Sequence, residues 1–308
     1  MKPMRGSGWL RVASALVVFV LAGTACDGAG TSDAAPADRA SKESSSQAAT
    51  TPSPTRTPRA AVSPDPEKTP INKWVTRRPE WLGTRVLPER PDGFGVVQTT
   101  PRIFRDRRLP TIDLLPPPEK RGFEAAIGPV PPEVVKRSSW RPKCPVTLEQ
   151  LAYITMPFRG FDHRRHTGEM IVNAAEAENV VEVFRALYEA RFRIEEMRVV
   201  TLGEQRAPPT GDTNVTSSFE CRQVTLGTSW SQHSYGLAID VNPFHNPYVR
   251  GDLIAPELAS AYADRTWRRE GMIFEGDVAT RAFDAIGWEW GGRWNTLKDW
   301  MHFSQTGH

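Results

Sequence analysis

The sequence predicts an α+β fold, a small antiparallel sheet with flanking helices, over residues 134–308, and three observations carry that prediction. Residues 176–193 place Val180, Val183, Phe184, Leu187 and Tyr188 at three- and four-residue steps, the pattern of a helix with one buried face. Short strand-like runs lie around it: residues 170–172 are all apolar, and in 194–200 Met197 and Val199 alternate with polar neighbours. Strands and helices do not alternate regularly, which excludes a doubly wound parallel sheet.

A second helix is expected over 256–262, since Pro256 is tolerated in a first turn. A third runs from Asp277, a good N-cap, to Gly287, a good stop. A strand is expected over 236–241. Its Leu237, Ile239 and Val241 share one face, which is core, and Gly236, Ala238 and Asp240 share the other. That second face carries two very small residues and ends in a carboxylate, so it leaves room for a ligand against the backbone.

The rest of the 308-residue chain has a different texture. A net charge of only +3, with 36 acidic residues among 39 basic ones, excludes a typical nucleic-acid binder. Lys2, Arg5 and Arg11 precede an apolar run over 13–22 and the small residues 23–25, so residues 1–25 are read as a signal peptide. The run is too short to span a bilayer, which takes about 20 residues. Cys26 then stands where a bacterial lipoprotein is acylated; Gly23 replaces the usual leucine, so free secretion stays open as the alternative. Either way the protein is expected outside the cytoplasm, touching membrane only through a lipid anchor. Residues 26–70, rich in Ala, Ser, Thr and Pro, are expected to be a disordered tether. Residues 71–133 regain aromatics but stay rich in Pro and Arg, and are read as extended segments packing on the 134–308 domain.

Cys144 and Cys221 remain. Export favours a disulfide between them; two free buried thiols are the alternative, and no Cys-x-x-Cys spacing supports a metal site.

The chemistry concentrates in two runs. Residues 231–240 bring His233 just ahead of the strand that ends in Asp240, and residues 298–303 supply His302 with Asp299 three residues before it. Two histidines and a carboxylate with an open fourth position make a catalytic zinc pattern, though spacing also admits another first-row metal. Such an ion acidifies a water and polarises a carbonyl. Asp299 is then the candidate general base, taking the water's proton and passing it to a leaving amine.

Ser231, His233, Gly236, Ala238 and Asp240, followed by Asp299 and His302, resemble the motifs of the zinc D-alanyl-D-alanine carboxypeptidase family, in the larger group that holds lysostaphin-type and hedgehog-type domains. The branch most similar contains L-alanyl-D-glutamate endopeptidases and phage endolysins. Trp140 with Cys144 and Pro145, Gly168 with Glu169, Phe192 and residues 218–222 resemble further landmarks, over about 134–308. The resemblance implies a hedgehog/D-Ala-D-Ala peptidase-like fold, with His233, Asp240 and His302 as zinc ligands and Asp299 as base. It also implies Arg222 as the oxyanion-stabilising cation, with an ion pair to Glu220 as its alternative role, and Ser231 as a substrate contact.

The expected activity is hydrolysis of an amide bond in the stem peptides of peptidoglycan. A D,D-carboxypeptidase needs a cation for the terminal carboxylate, and Arg250, Arg265 and Arg293 are candidates; an endopeptidase must leave that end clear. Secreted peptides as substrate, and a non-catalytic zinc-containing wall-binding module, are the rivals. His163, His166, His245 and His308 match no ligand position and are read as surface residues, and Glu289 is a rival base thirteen residues from His302.

Overall fold

The structure is a computed structural model that describes residues 75–224 and 227–307. The signal peptide, Cys26, the whole tether through residue 70 and the first residues of the next segment, 71–74, therefore lie outside the described residues, as does His308. In chain order the elements are β1 (Ala126–Gly128), α1 (Pro132–Arg137), β2 (Leu151–Arg159), β3 (Arg165–Asn173), α2 (Ala177–Glu189), β4 (Glu196–Met197), α3 (Leu202–Arg206), β5 (Val215–Thr216) and β6 (Ala238–Asp240). There follow β7 (Tyr248–Arg250), β8 (Leu253–Ala255), α4 (Ser260–Ala263), α5 (Val278–Ala285), β9 (Glu289–Trp290), β10 (Lys298–Asp299) and β11 (His302–Ser304). This is an α+β fold. Three small antiparallel sheets, in the orders β1-β2-β3, β6-β11-β9 and β10-β7-β8, account for most strands, and β4 with β5 forms a short parallel pair.

The amphipathic helix exists, but it is shorter than its periodicity suggests. Residues 174–176 form a 3-10 turn whose start is capped by Asn173 Oδ1, accepting from Ala175 N. At the other end Arg191 takes φ 60°, and Phe192 N donates to Leu187 O, which closes the helix four residues early. The buried face of α2 packs on β2 and α5. The main core joins Ile154 and Met156 of β2, Val172 of β3, Val180, Phe184 and Leu187 of α2, and Ile239, Phe283 and Phe303. Full burial of each such large side chain contributes roughly 1.5–3 kcal/mol. α5 begins as the sequence predicts, with Asp277 Oδ1 accepting from Ala279 N and Thr280 N, and stops just before Gly287 at φ 77°.

The helix expected over 256–262 is replaced by turns, with only Ser260–Ala263 helical. The backbone there is committed to distant partners: Leu258 N donates to Gly211 O, and Glu257 O accepts from Gln98 N. Residues 75–133 supply Gln98 and more. Leu87, Phe104 and Leu109 are buried in a second core with Phe244, Leu258, Tyr262 and Met272. Arg107 is buried with them, its guanidinium donating through Nε and Nη2 to both Glu195 oxygens at 2.8 and 2.7 Å and through Nη1 to Asp212 O.

Two histidines expected at the surface are buried. His166 is 2% exposed because it bridges two carboxylates, Asp113 at 2.8 Å and Asp162 at 3.0 Å. Burial opposes its charge, but the two acids outweigh burial and push its pKa up to about 9. His245 is wholly buried as an aromatic, stacked on Phe161 with ring centroids 4.8 Å apart and edge-on to Tyr262. Its Nε2 lies 3.0 Å from Arg107 O, and burial pushes its pKa down to about 3, so it is neutral. His163 is exposed, as expected.

Candidate metal centre

Two strands and one turn converge to build the site. Ser231 starts a 3-10 turn over Gln232–Tyr235, its Oγ accepting from His233 N, and Gly236 ends the turn at φ 68°. A Cβ at Gly236 would lie 2.4 Å from Asn173 N, so only glycine lets the turn seat against β3. This turn delivers His233, and β6 follows with Asp240 as its last residue. β6 pairs antiparallel with β11 in the register that sets Asp240 opposite His302. Directly opposed residues project to the same face, so the pairing itself brings the second and third side chains together.

His302 Nδ1 lies 3.0 Å from Asp240 Oδ1 and 3.3 Å from His233 Nε2, and His233 Nε2 lies 3.3 Å from Asp240 Oδ2. The three residues form a group that could hold a metal ion. A tetrahedral ion with bonds of about 2.0–2.1 Å sets its ligand atoms about 3.3 Å apart, so the spacing fits. The second shell agrees. His233 Nδ1 donates to Ser218 O at 2.7 Å, which leaves the Nε2 lone pair free toward the centre. Burial works against the charge on Asp240, but His233 and His302 hold its pKa well below the usual carboxylate range. Asp240 in turn raises the pKa of His233 against burial.

Asp299 sits on β10, paired with Tyr248. Its Oδ1 is buried and has no hydrogen-bond partner among the described residues. Burial pushes its pKa up to about 7; His302 and Arg222 pull it down, and Asp240 adds to the rise. Gly291 makes the close approach of this strand possible, since a Cβ there would meet Asp299 O at 2.6 Å. Arg222 donates through Nε to Glu220 Oε2 at 3.1 Å, the ion pair foreseen as its alternative role. Burial lowers its pKa, but Glu220, Asp240 and Asp299 raise it on balance, which places the guanidinium within electrostatic reach of the site.

Ser231, expected at the substrate, is 6% exposed and uses its hydroxyl as the cap of the His233 turn. Glu289 is exposed on β9, which lies on the opposite side of β11 from β6, so it is not beside the ligands. Cys144 and Cys221 are disulfide-bonded, which ties the start of the Arg222 segment to the loop after α1. Two roles escaped the sequence reading, that of Ser218 within the 218–222 landmark and that of Trp294. Ser218 orients His233 through a backbone carbonyl, which no residue type advertises. Trp294 sets its ring 5.6 Å from that of His302, and the density of tryptophans over 288–300 is the signal that could have found it. Beside Asp240 opens a cleft of about 540 Å³, bounded also by Ser217, Glu220 and Met301.

Two histidines and an aspartate that could hold a metal ion thus lie beside a buried carboxyl. Residues 225–305 match the family model described as D-alanyl-D-alanine carboxypeptidase. The matched stretch covers about a quarter of the chain and contains Ser231, His233, Asp240, Asp299 and His302, while Arg222 lies just ahead of it. No curated protein and no solved structure matches the chain.

Proposed function

We propose that the protein is a zinc-dependent peptidase that hydrolyses an amide bond in peptidoglycan stem peptides, as a D-alanyl-D-alanine carboxypeptidase does. One observation carries the reading: His233, Asp240 and His302 present ligand atoms 3.0–3.3 Å apart beside the buried Asp299, inside the matched stretch. Two imidazoles and a carboxylate suit zinc and leave a coordination position for substrate or water. An ion held there supplies acidification of water and polarisation of a carbonyl.

The remaining work belongs to the chain. Asp299, a carboxyl poised near neutrality, accepts a proton from the attacking water and returns it to the leaving amine. Arg222 brings a fixed charge and planar donors toward the oxyanion that develops on the scissile carbonyl. A wall-binding module without turnover has no use for a base here, so Asp299 argues for the enzyme. Of the three cations, Arg265 is committed to His245 O and Ile273 O, and Arg293 to Glu275 and Asp284. Arg250 is exposed on β7, two residues from the Tyr248 that pairs with Asp299, and is the one suited to a terminal carboxylate.

The second reading is an endopeptidase of the L-alanyl-D-glutamate type, which leaves stem on both sides of the cut. Export by residues 1–25, anchoring through Cys26 and the 26–70 tether would bring the domain to its wall substrate. The test is incubation with defined muropeptides, with and without chelator, and products read by mass spectrometry. Release of terminal D-alanine that stops with chelator and returns with zinc supports the carboxypeptidase. Cleavage within the stem supports the endopeptidase, and no cleavage with one zinc bound per chain rejects both.

A further inference from the structure

Tyr248 stands next to the buried carboxyl of the site. It pairs directly with Asp299 of β10, and on its other side with Ala255 of β8. Directly opposed residues project to one face with their Cα atoms about 4.5–5.5 Å apart, so the phenol lies beside the Asp299 carboxyl. Ala255 is too short to cover it. Arg250 follows two residues along β7, about 6.6 Å away on the same face. The electrostatics agree with this placement: burial raises the pKa of the Tyr248 phenol, Arg250 lowers it and Asp299 raises it. Asp299 is itself within electrostatic reach of His302, Asp240 and Arg222. The row Asp299, Tyr248, Arg250 therefore leads outward from the candidate metal centre.

Both outer members of the row have donors to spare. Tyr248 is half-buried, and its hydroxyl makes no hydrogen bond among the described residues. Arg250 is exposed, and its guanidinium has neither a hydrogen bond nor an ion pair among the described residues. A phenol O–H and a guanidinium side by side offer one neutral and one charged donor to the two oxygens of a carboxylate.

The position of Tyr248 also sets a length. Asp299 returns its proton to the leaving nitrogen, and a single released residue carries its carboxylate within about 3.8 Å of that nitrogen, one residue's length. That reach ends over Tyr248, the immediate neighbour of Asp299. A leaving piece of two or more residues would place an amide there instead.

We propose that Tyr248 and Arg250 form a subsite for a terminal carboxylate, and that they select peptides from which one free-acid residue is released. The proposal rests on the peptidase reading above. It singles out the carboxypeptidase from the two alternatives given there and adds Tyr248 to the residues that touch substrate.

The experiment uses the full zinc-loaded chain and a stem pentapeptide ending in D-alanyl-D-alanine, either as the free acid or as its C-terminal amide. We expect kcat/KM to favour the free acid by at least about tenfold, the scale of one charge-assisted hydrogen bond. Tyr248→Phe, which removes only the hydroxyl, and Arg250→Gln should each reduce that ratio by about threefold or more, chiefly through KM on the free acid. Melting temperature confirms the fold of each variant. Equal kcat/KM on acid and amide, release of two or more residues in one piece, or a ratio that either substitution leaves unmoved overturns the subsite.

Calorimetric binding of both peptides to the zinc-loaded Asp299→Ala protein separates this from failure of the peptidase reading. Tighter binding of the free acid, weakened by adding Tyr248→Phe or Arg250→Gln, with no peptide hydrolysed by wild type, keeps the subsite and rejects the peptidase. Hydrolysis of acid and amide alike keeps the peptidase and rejects the subsite. Binding that is absent, or equal for acid and amide, rejects the subsite.

Discussion

Asp240 and His302 are cross-strand partners in the β6–β11 pairing, and their facing atoms lie 3.0 Å apart although 62 residues separate them in the chain. The geometry of the group that could hold a metal is therefore a matter of strand register. A slip of one residue would send His302 to the opposite face of the sheet, among the core residues that flank it.

Replacing His302 by Ala should take the protein from one bound zinc per chain to none and reduce hydrolysis to background. Replacing the exposed His163 should change neither. Elemental analysis of the dialysed proteins reads the difference, and full zinc retention by His302→Ala would dissolve the ligand assignment.

Asp299→Ala is expected to keep its zinc and lose about 10²- to 10⁴-fold in rate, the usual contribution of a positioned proton acceptor. Zinc content and kcat on one muropeptide are enough to check it. Wild-type activity in the variant would remove Asp299 from the mechanism.

Arg107 and Glu195 form a pair at 2% and 1% side-chain exposure. Removing one partner strands the other charge in the interior, so Arg107→Ala should destabilise the fold by roughly 3–5 kcal/mol. Urea denaturation measures this, and a loss below about 1 kcal/mol, the level of a surface pair, would contradict the buried geometry.

His166 links stability to pH. Its folded pKa of about 9 lies above the unfolded value near 6.5, so its ion pairs with Asp113 and Asp162 contribute fully below about pH 6.5. That contribution is lost as pH rises through about 9. Wild type should therefore lose stability between pH 6 and pH 9.5 by roughly 3 kcal/mol more than His166→Gln does. Parallel curves for the two proteins would show that the imidazole carries no charge in the fold.

The candidate site was easier to read from the sequence than the architecture. His233, Asp240, Asp299 and His302 stand in compact motifs, and the alternation around Ile239 assigns the correct face to Asp240. The nine-residue strand β2 was not foreseen, because Pro157 lies inside it and its two faces are both largely buried, which erases alternation. The helix over 256–262 failed for the opposite reason: local propensity is adequate, but Gln98, Thr100 and Gly211 capture its backbone groups. His166 and His245 could not be placed from the sequence. Their burial depends on Asp113, Asp162, Phe161 and Tyr262, which only the folded chain assembles around them.

The Arg107–Glu195 clamp also bears on how the protein can be cut or grafted. A fragment starting at residue 134 would leave Glu195 as an unbalanced anion in an apolar interior and bare the rings of Phe244 and Tyr262, which Phe104 and Leu109 now cover. The stretch that matches the family model is thus not a portable cassette. Any shortened version, or any chimera that borrows this centre, has to begin upstream of Arg78 to carry a complete interior with it.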